Sequence, residues 1–175
     1  KNFNKSITVD GDKSISIRSL IFASLANGKS NINNLLESED VFHTIYALRK
    51  LGVKIKKKKT KYIVNGLGIN NFKYKKNIVI NAGNSGTLAR LIFSILIKSP
   101  YKIKITGDES LSKRDMSRII TPLSKFETKF YPKNKKTLPL SIKKIDNLKK
   151  NNFLENKGSA QVKSAIMLAA LHYKN

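Results

Sequence analysis

The feature of this sequence that most constrains its fold is a short pattern that occurs three times. In each copy a small or hydroxyl residue stands four positions before a basic residue, and apolar residues then recur at helical spacing. The copies are Ser14 with Arg18, Gly86 with Arg90, and Ser159 with Lys163. Their basic residues are 72 and 73 positions apart. A near-constant period with the same local pattern predicts repeated supersecondary units.

The middle copy joins a strand-like segment to a glycine-rich turn and then to an apolar helix. Residues 78–80 are all β-branched, which favours a strand. Gly83 and Gly86 permit a tight turn and a close approach of the backbone to a ligand. Free N–H groups and the helix dipole favour an anion at such a point. A single glycine-rich turn of this kind often has no ligand. Three helix N-termini, each with a basic residue in the next helical turn, can however converge on one polyanionic ligand.

The same patterns predict the order of elements. In unit one we predict strands at residues 6–9 and 30–36, a helix with Ser14 as N-cap that ends at residues 27–28, a helix at 38–52, and a hairpin of 53–57 and 61–65. In unit two we predict strands at 78–81, 101–106, 129–131 and 138–142, with helices at 86–97 and 116–125, where Pro122 bends or ends the second helix. In unit three we predict a strand at 152–155 and a helix to about residue 171.

These elements predict an α/β (α+β) fold of repeated βαβαββ units, with two full units and part of a third. Unit one covers about residues 6–76, unit two about 77–151, and unit three the truncated stretch 152–175. At 175 residues, 40% of them hydrophobic, the chain is long enough to bury a core.

The formal net charge of +24 suggests a nucleic-acid ligand. However, Lys, Asn and Ile are over-used together, as an AT-rich coding sequence would produce, and the lysine run at 56–59 has no interleaved aromatic residue for base stacking. We therefore expect salt-sensitive, nonspecific adhesion to nucleic acid and no specific nucleic-acid partner.

Other function classes are limited by what the sequence does not contain. The absence of cysteine excludes disulfides, thiolate metal sites and a cysteine nucleophile, and we expect neither a metal nor a cofactor. No apolar run reaches membrane-spanning length, and no signal peptide is recognisable. We therefore expect no membrane partner and a cytoplasmic location.

Four segments resemble the 5-enolpyruvylshikimate-3-phosphate synthase family. They are GDKSISIR at residues 11–18, AGNSGTLARL at 82–91, SLSKRDMSR at 110–118 and GSAQVKSA at 158–165. They occur in the family's order over nearly the whole chain. The resemblance implies two domains of three βαβαββ units each. This chain would hold most of the N-terminal, shikimate-phosphate-binding domain at residues 13–175, preceded at 1–12 by a leading strand and hinge toward a missing second domain.

The resemblance also implies an activity, the condensation of shikimate 3-phosphate with phosphoenolpyruvate through a tetrahedral intermediate, with release of phosphate. It implies catalytic roles for Lys13, which contacts both substrates, and for Arg114. The implied shikimate-phosphate ligands are Ser14, Arg18, Ser159, Ala160 (through its backbone) and Gln161. The implied phosphoenolpyruvate side consists of Gly86 and Arg114, with Asn84 and Thr87 shaping the turn. Arg90 and Lys163 are left off this list because structural pairing explains them equally well, and His43 and His172 are interpreted as bystanders.

Three positions depart from the family pattern. Asp10 and Asp115 stand where the family usually has proline, and Ile17 stands where it usually has histidine. Of these, Asp115 directly follows Arg114 and could pair with it and alter its geometry. The family's proton-transfer residues belong to the missing domain, and we therefore expect no turnover from this chain alone.

Two alternatives remain. One is the related transferase that acts on UDP-N-acetylglucosamine, which is disfavoured by Ser14 after Lys13 and by the lack of cysteine near Arg114. The other is a basic nucleic-acid-binding module.

Overall fold

The computed structural model describes residues 4–7, 9–126, 128–144 and 158–173. The helices in these ranges are α1 (Lys13–Leu25), α2 (Glu39–Lys50), α3 (Gly86–Ile95), α4 (Glu109–Ser112), α5 (Ser117–Leu123) and α6 (Ala160–Ala170). The strands are β1 (Asn27–Asn33), β2 (Lys54–Lys58), β3 (Lys61–Leu67), β4 (Val79–Asn81), β5 (Ile103–Thr106), β6 (Thr128–Tyr131) and β7 (Leu140–Lys144). The mixed α/β fold class is confirmed.

The strands form two sheets whose order repeats. The first sheet has the order β1-β3-β2 and is antiparallel. The second has the order β4-β5-β7-β6, in which β4 and β5 are parallel and the other neighbours antiparallel. Strands β5, β7 and β6 thus occupy in the second sheet the places of β1, β3 and β2 in the first. This shared order agrees with the repeat that the spacing of the basic residues predicts.

The leading strand predicted at residues 6–9 is wrong for the residues that the structure describes there. Residues 6, 7 and 9 are not in a strand, and Ile7 and Val9 are exposed. The carbonyl of Val9 accepts a hydrogen bond of 3.3 Å from the side chain of Asn34, so this segment is held by a side chain and not by a sheet ladder. The strand predicted at 152–155 lies outside the described residues.

The prediction of Ser14 as N-cap of the first helix is also wrong. The cap is Asp12, whose Oδ1 accepts a hydrogen bond of 2.7 Å from the backbone N–H of Ile15. A carboxylate caps as well as a hydroxyl, and its charge suits a helix N-terminus. Serine hydroxyls do cap the two other repeated helices, α3 through Ser85 and α6 through Ser159.

The remaining boundaries differ by a few residues. Strand β1 begins and ends three residues earlier than predicted, because all of Asn27–Asn33 pairs with β3. The short helix α4 was not predicted; Asp108 caps it by accepting from the N–H of Leu111 at 2.7 Å. Helix α5 ends one residue after Pro122, as expected.

Helix α3 lies at the centre of the hydrophobic core. Every residue of Gly86–Ile95 is buried except Arg90, and the helix packs against α1, α2, α5 and α6. A helix that is buried on all sides belongs to the core and not to the surface. Its N-terminal turn is therefore held in place by the surrounding elements. Within the described ranges, no helix combines the length and apolar character needed to cross a membrane.

Candidate functional site

The turn between β4 and α3 is fixed by backbone and side-chain contacts. The N–H of Ala82 donates to the carbonyl of Thr106 at 2.8 Å, and the N–H of Gly83 donates to Oδ1 of Asn81 at 2.9 Å. Gly83 has a positive φ of 55°, and a Cβ there would lie 2.4 Å from two ring atoms of His43. Only glycine suits this position, because it meets both the backbone and the packing requirement. The turn thus presents the N-terminus of α3 in one defined direction.

Two guanidinium groups meet over the first residue of α3. A Cβ on Gly86 would lie 3.0 Å from Nη1 of Arg90 and 3.3 Å from Nη1 of Arg114. Arg114 follows α4 in the chain and is held by Oδ1 of Asn84 at 2.8 Å and by Oγ of Ser110 at 3.4 Å. The absent side chain of Gly86 is what allows both cations to approach the helix N-terminus.

The orientation of Arg114 depends on a short chain of hydrogen bonds. Asn84 accepts from Arg114 and donates through Nδ2 to Oδ2 of Asp108 at 2.6 Å. The pKa of Asp108 is lowered, first by the hydrogen bond from the N–H of Leu111 and then by the one from Asn84. A carboxylate that stays ionised keeps Asn84 in the orientation that presents its oxygen to Arg114.

The site is electropositive. Burial lowers the pKa of Arg90, and the neighbouring charges of Arg114 and Arg118 lower it further. Among the described residues, no carboxylate lies within ion-pair distance of Arg90 or Arg114. Asp115, which could have paired with Arg114, accepts a hydrogen bond from the N–H of Ser117. The charge of Asp115 opposes these effects on the pKa of Arg90, but it is the smallest of the four causes. Cations that are crowded together in this way favour the binding of an anion.

The N-terminus of helix α6 lies next to the N-terminus of α3. Nη1 of Arg90 donates to Oε1 of Gln161 at 2.8 Å, and Nε2 of Gln161 donates to Oγ1 of Thr87 at 3.1 Å. The structure therefore brings together Asn84, Gly86, Thr87, Arg114 and Gln161. Ser159 and Ala160 open the same helix as Gln161.

The predicted residues on α1 form a second group. Nζ of Lys13 lies 3.1 Å from Oδ2 of Asp40, and Nη1 of Arg18 donates to the carbonyl of Ser14 at 3.2 Å. The described contacts do not join this group directly to Gly86. They connect the two through α2, because Asp40 in its first turn holds Lys13 while His43, three residues later, packs on Gly83.

Sequence reasoning missed the part that Arg90 takes in this cluster. The signal was present, since Arg90 is the basic residue of the repeated pattern, but the contact with Gln161 joins residues 71 positions apart. His43 supports the turn, because its ring packs on Gly83 and its Nδ1 lies 3.2 Å from the carbonyl oxygen of Asn81. Its interpretation as a bystander in catalysis stays a prediction.

Two further features lie outside the cluster. His172 is buried and has its Nδ1 2.6 Å from Oδ1 of Asn70. A cavity of about 530 Å³ is lined by His43, Tyr46, Ala47, Arg49, Lys50 and Asn81, and by none of the predicted ligand residues.

The fold and this cluster define an α/β protein in which basic and amide side chains gather at the N-termini of two repeated helices. A family model described as EPSP synthase (3-phosphoshikimate 1-carboxyvinyltransferase) matches residues 1–175. The chain belongs to the EPSP synthase family, and the resemblance of the four segments is confirmed.

Curated relatives agree with this assignment. The 3-phosphoshikimate 1-carboxyvinyltransferase of Leuconostoc mesenteroides is 44% identical over 165 residues, which cover 94% of this chain and 38% of that protein. That of Petrotoga mobilis is 44% identical over 176 residues, covering 99% of this chain and 40% of that protein. The solved EPSP synthase from Acinetobacter baumannii is 38% identical, with a TM-score of 0.85, and covers 94% of this chain and 38% of that one. The chain thus spans only 38–40% of the length of the relatives it matches.

Proposed function

We propose that this chain provides most of the N-terminal domain of a 3-phosphoshikimate 1-carboxyvinyltransferase. The reaction transfers the enolpyruvyl group of phosphoenolpyruvate to the 5-hydroxyl of shikimate 3-phosphate and releases phosphate. The observation that carries the proposal is the meeting of Arg90 and Arg114 over Gly86, joined through Gln161 to α6, in a chain of this family. Both substrates are anions, which is the chemistry that such a site recognises.

On the phosphoenolpyruvate side we assign Gly86, Arg114, Asn84 and Thr87. The N-terminus of α3 supplies backbone N–H groups and the positive end of the helix dipole. Arg114 supplies a planar pair of donors that matches a carboxylate or a phosphate. Asn84 holds the guanidinium of Arg114, and Thr87 holds the amide of Gln161.

On the shikimate-phosphate side we assign Ser14, Arg18, Ser159, Ala160 and Gln161, and we assign Lys13 to both substrates. Lys13 and Arg114 are the catalytic residues of this proposal, because fixed cations stabilise the charge that develops as the tetrahedral intermediate forms and collapses. The proton-transfer groups come from the C-terminal domain of the same enzyme. The proposal therefore predicts no turnover by this chain alone, and it places the reaction in the cytoplasm.

Titration with shikimate 3-phosphate tests the proposal. We expect saturable binding by calorimetry and a rise in the melting temperature with ligand concentration. Arg18→Ala should weaken this binding by about 2–3 kcal/mol, the range for a hydrogen bond to a charged group. The control is Lys75→Ala, which removes one exposed cation outside the site. Unchanged affinity in Arg18→Ala would remove Arg18 from the site, and absence of any saturable binding would contradict the proposal for this chain.

A second experiment tests the need for the other domain. Adding the C-terminal domain of a relative in trans should produce phosphate release from the two substrates, whereas each part alone should not. Lys13→Met should abolish that release. Phosphate release by this chain alone would contradict the assignment of the proton-transfer groups to the other domain.

A further inference from the structure

The side-chain amide of Gln161 lies between the N-termini of two repeated helices. Its Oε1 accepts from Nη1 of Arg90 at 2.8 Å, and its Nε2 donates to Oγ1 of Thr87 at 3.1 Å. Arg90 and Thr87 both belong to the first turns of α3, whereas Gln161 belongs to the first turn of α6. The amide therefore joins the two helices at the anion site.

Arg90 determines which end of this amide faces the site. A guanidinium group has only donors, so the atom of Gln161 that faces it must be the carbonyl oxygen. The amide NH₂ is then turned toward Thr87, whose hydroxyl can accept. One of the two N–H bonds of Nε2 is used in this contact, and no contact among the described residues uses the other. In the reverse orientation the carbonyl oxygen would lie beside Thr87 in the first turn of α3, where it would repel an anion at that helix N-terminus.

The surroundings of Arg90 leave its guanidinium available to Gln161. It is the one residue of α3 that is not buried, and its Nη1 lies 3.0 Å from the position that a Cβ on Gly86 would occupy. In the described part of the chain no carboxylate pairs with it. Its only polar side-chain partner described there is Gln161.

Among the described residues, the equivalent cations of the other two repeats make no such contact. Arg18 donates to the carbonyl of Ser14 in its own helix, and Lys163 is exposed. Of these three cations, only Arg90 has a described hydrogen bond to a residue of another repeat. The contact with Gln161 is therefore particular to this position and does not follow from the repeat.

We propose that Arg90 is a positioning residue that fixes the amide of Gln161 with its N–H groups toward the anion site. This inference rests on the proposed function for the identity of the anion, and phosphoenolpyruvate and inorganic phosphate are its probes. Arg90 acts through Gln161, so the orientation of the amide is a property of the chain that exists without ligand.

The first test observes that orientation directly. In isotope-labelled chain, the Nε2 protons of Gln161 should show a nuclear Overhauser contact to the methyl group of Thr87. Arg90→Met, which keeps much of the volume and removes the donors, should abolish this contact. Arg90→Lys should retain it, because an ammonium group also has only donors. Absence of the contact in the unsubstituted chain, or its persistence in Arg90→Met, would overturn the proposal.

The second test measures ligand affinity and separates orientation from charge. Arg90→Met should weaken binding of phosphoenolpyruvate about tenfold or more, since a donor to a charged group is replaced by a repelling carbonyl. Arg118→Met is the matched control, because it removes a cation whose charge acts on Arg90, and no described hydrogen bond joins Arg118 to Gln161. Equal losses in the two variants would overturn the proposal. In the Gln161→Leu background, Arg90→Met should cause no more loss than Arg118→Met.

The two failures can be distinguished. If neither phosphoenolpyruvate nor phosphate binds the unsubstituted chain, the proposed function fails for this chain, while the amide contact still decides the role of Arg90. If Arg90→Met does not fold, the contact in the unsubstituted chain and in Arg90→Lys decides it.

Discussion

The Gly86→Ala variant tests the proposed anion site, because it should change ligand affinity much more than the free energy of unfolding. The added methyl group would lie 3.0 Å from Nη1 of Arg90 and 3.3 Å from Nη1 of Arg114. A comfortable separation is about 3.5 Å, so Arg90 must move by about 0.5 Å. That movement displaces the guanidinium that donates to Oε1 of Gln161 at 2.8 Å. Because both neighbours are the ends of flexible side chains, the helix itself need not move.

We therefore expect weaker anion binding with little change in folding. The loss for phosphoenolpyruvate should be about 1–2 kcal/mol, or roughly 5- to 30-fold, and should exceed the loss for shikimate 3-phosphate. The free energy of unfolding should stay within about 1 kcal/mol, because alanine restricts the unfolded chain and offsets the crowding. Calorimetric titration with each substrate, beside urea unfolding, measures both quantities.

Gly28→Ala provides the contrasting control. Gly28 has a positive φ of 95°, but a Cβ there meets nothing within 4 Å. This variant should lose stability through backbone strain and keep its affinity for both ligands. Equal losses of the two substrates in Gly86→Ala, or unchanged affinity for phosphoenolpyruvate, would refute the placement of that ligand at the first turn of α3.

Three further predictions concern stability. Ser85→Ala removes the cap that accepts from the N–H of Leu88 at 3.2 Å and should cost about 1 kcal/mol in urea unfolding, and an unchanged free energy of unfolding would contradict the capping role. Burial lowers the pKa of His172 to about 4, so between pH 7 and pH 5 the unfolded chain binds a proton that the folded chain does not. The free energy of unfolding should therefore fall by about 2 kcal/mol from pH 7 to pH 5, and by less in His172→Gln. An equal fall in both proteins would contradict this role of His172. Gly66→Ala would place a Cβ 2.2 and 2.4 Å from two backbone carbonyl oxygens, and should lower the melting temperature far more than Gly28→Ala; similar melting temperatures would contradict the described approach of β3 to the end of α1.

Local signals predicted most of the elements. Acidic residues at the start and basic residues at the end of α2, followed by Gly52, identify its bounds without any tertiary information. The apolar spacing after Gly86 identifies α3 for the same reason. The cap of α1 was misassigned because Asp12 and Ser14 are both good caps, and the choice between them depends on the path of the preceding chain. The leading strand was overpredicted because a β-branched segment forms a strand only where a partner strand pairs with it.

The site was less accessible from sequence. Its turn, Arg114 and the start of α6 could be proposed from motifs, but their geometry depends on contacts between distant residues. Gln161 meets Arg90 and Thr87 across more than 70 positions, and Asn84 meets Arg114 across 30. The role of Asp115 likewise needed coordinates, since a carboxylate beside an arginine can instead accept a hydrogen bond from a backbone N–H, as it does here from Ser117.

The ion pair between Lys13 and Asp40 changes how a substrate would gain from that lysine. Under the proposed function, a phosphate arriving at Lys13 competes with a carboxylate oxygen 3.1 Å from Nζ, on a side chain that is only 15% exposed. The net gain is the difference between the pairing with the phosphate and the weakened pairing with Asp40. Replacing Asp40 by asparagine should for this reason tighten phosphate binding, even though the substitution adds no contact to the ligand.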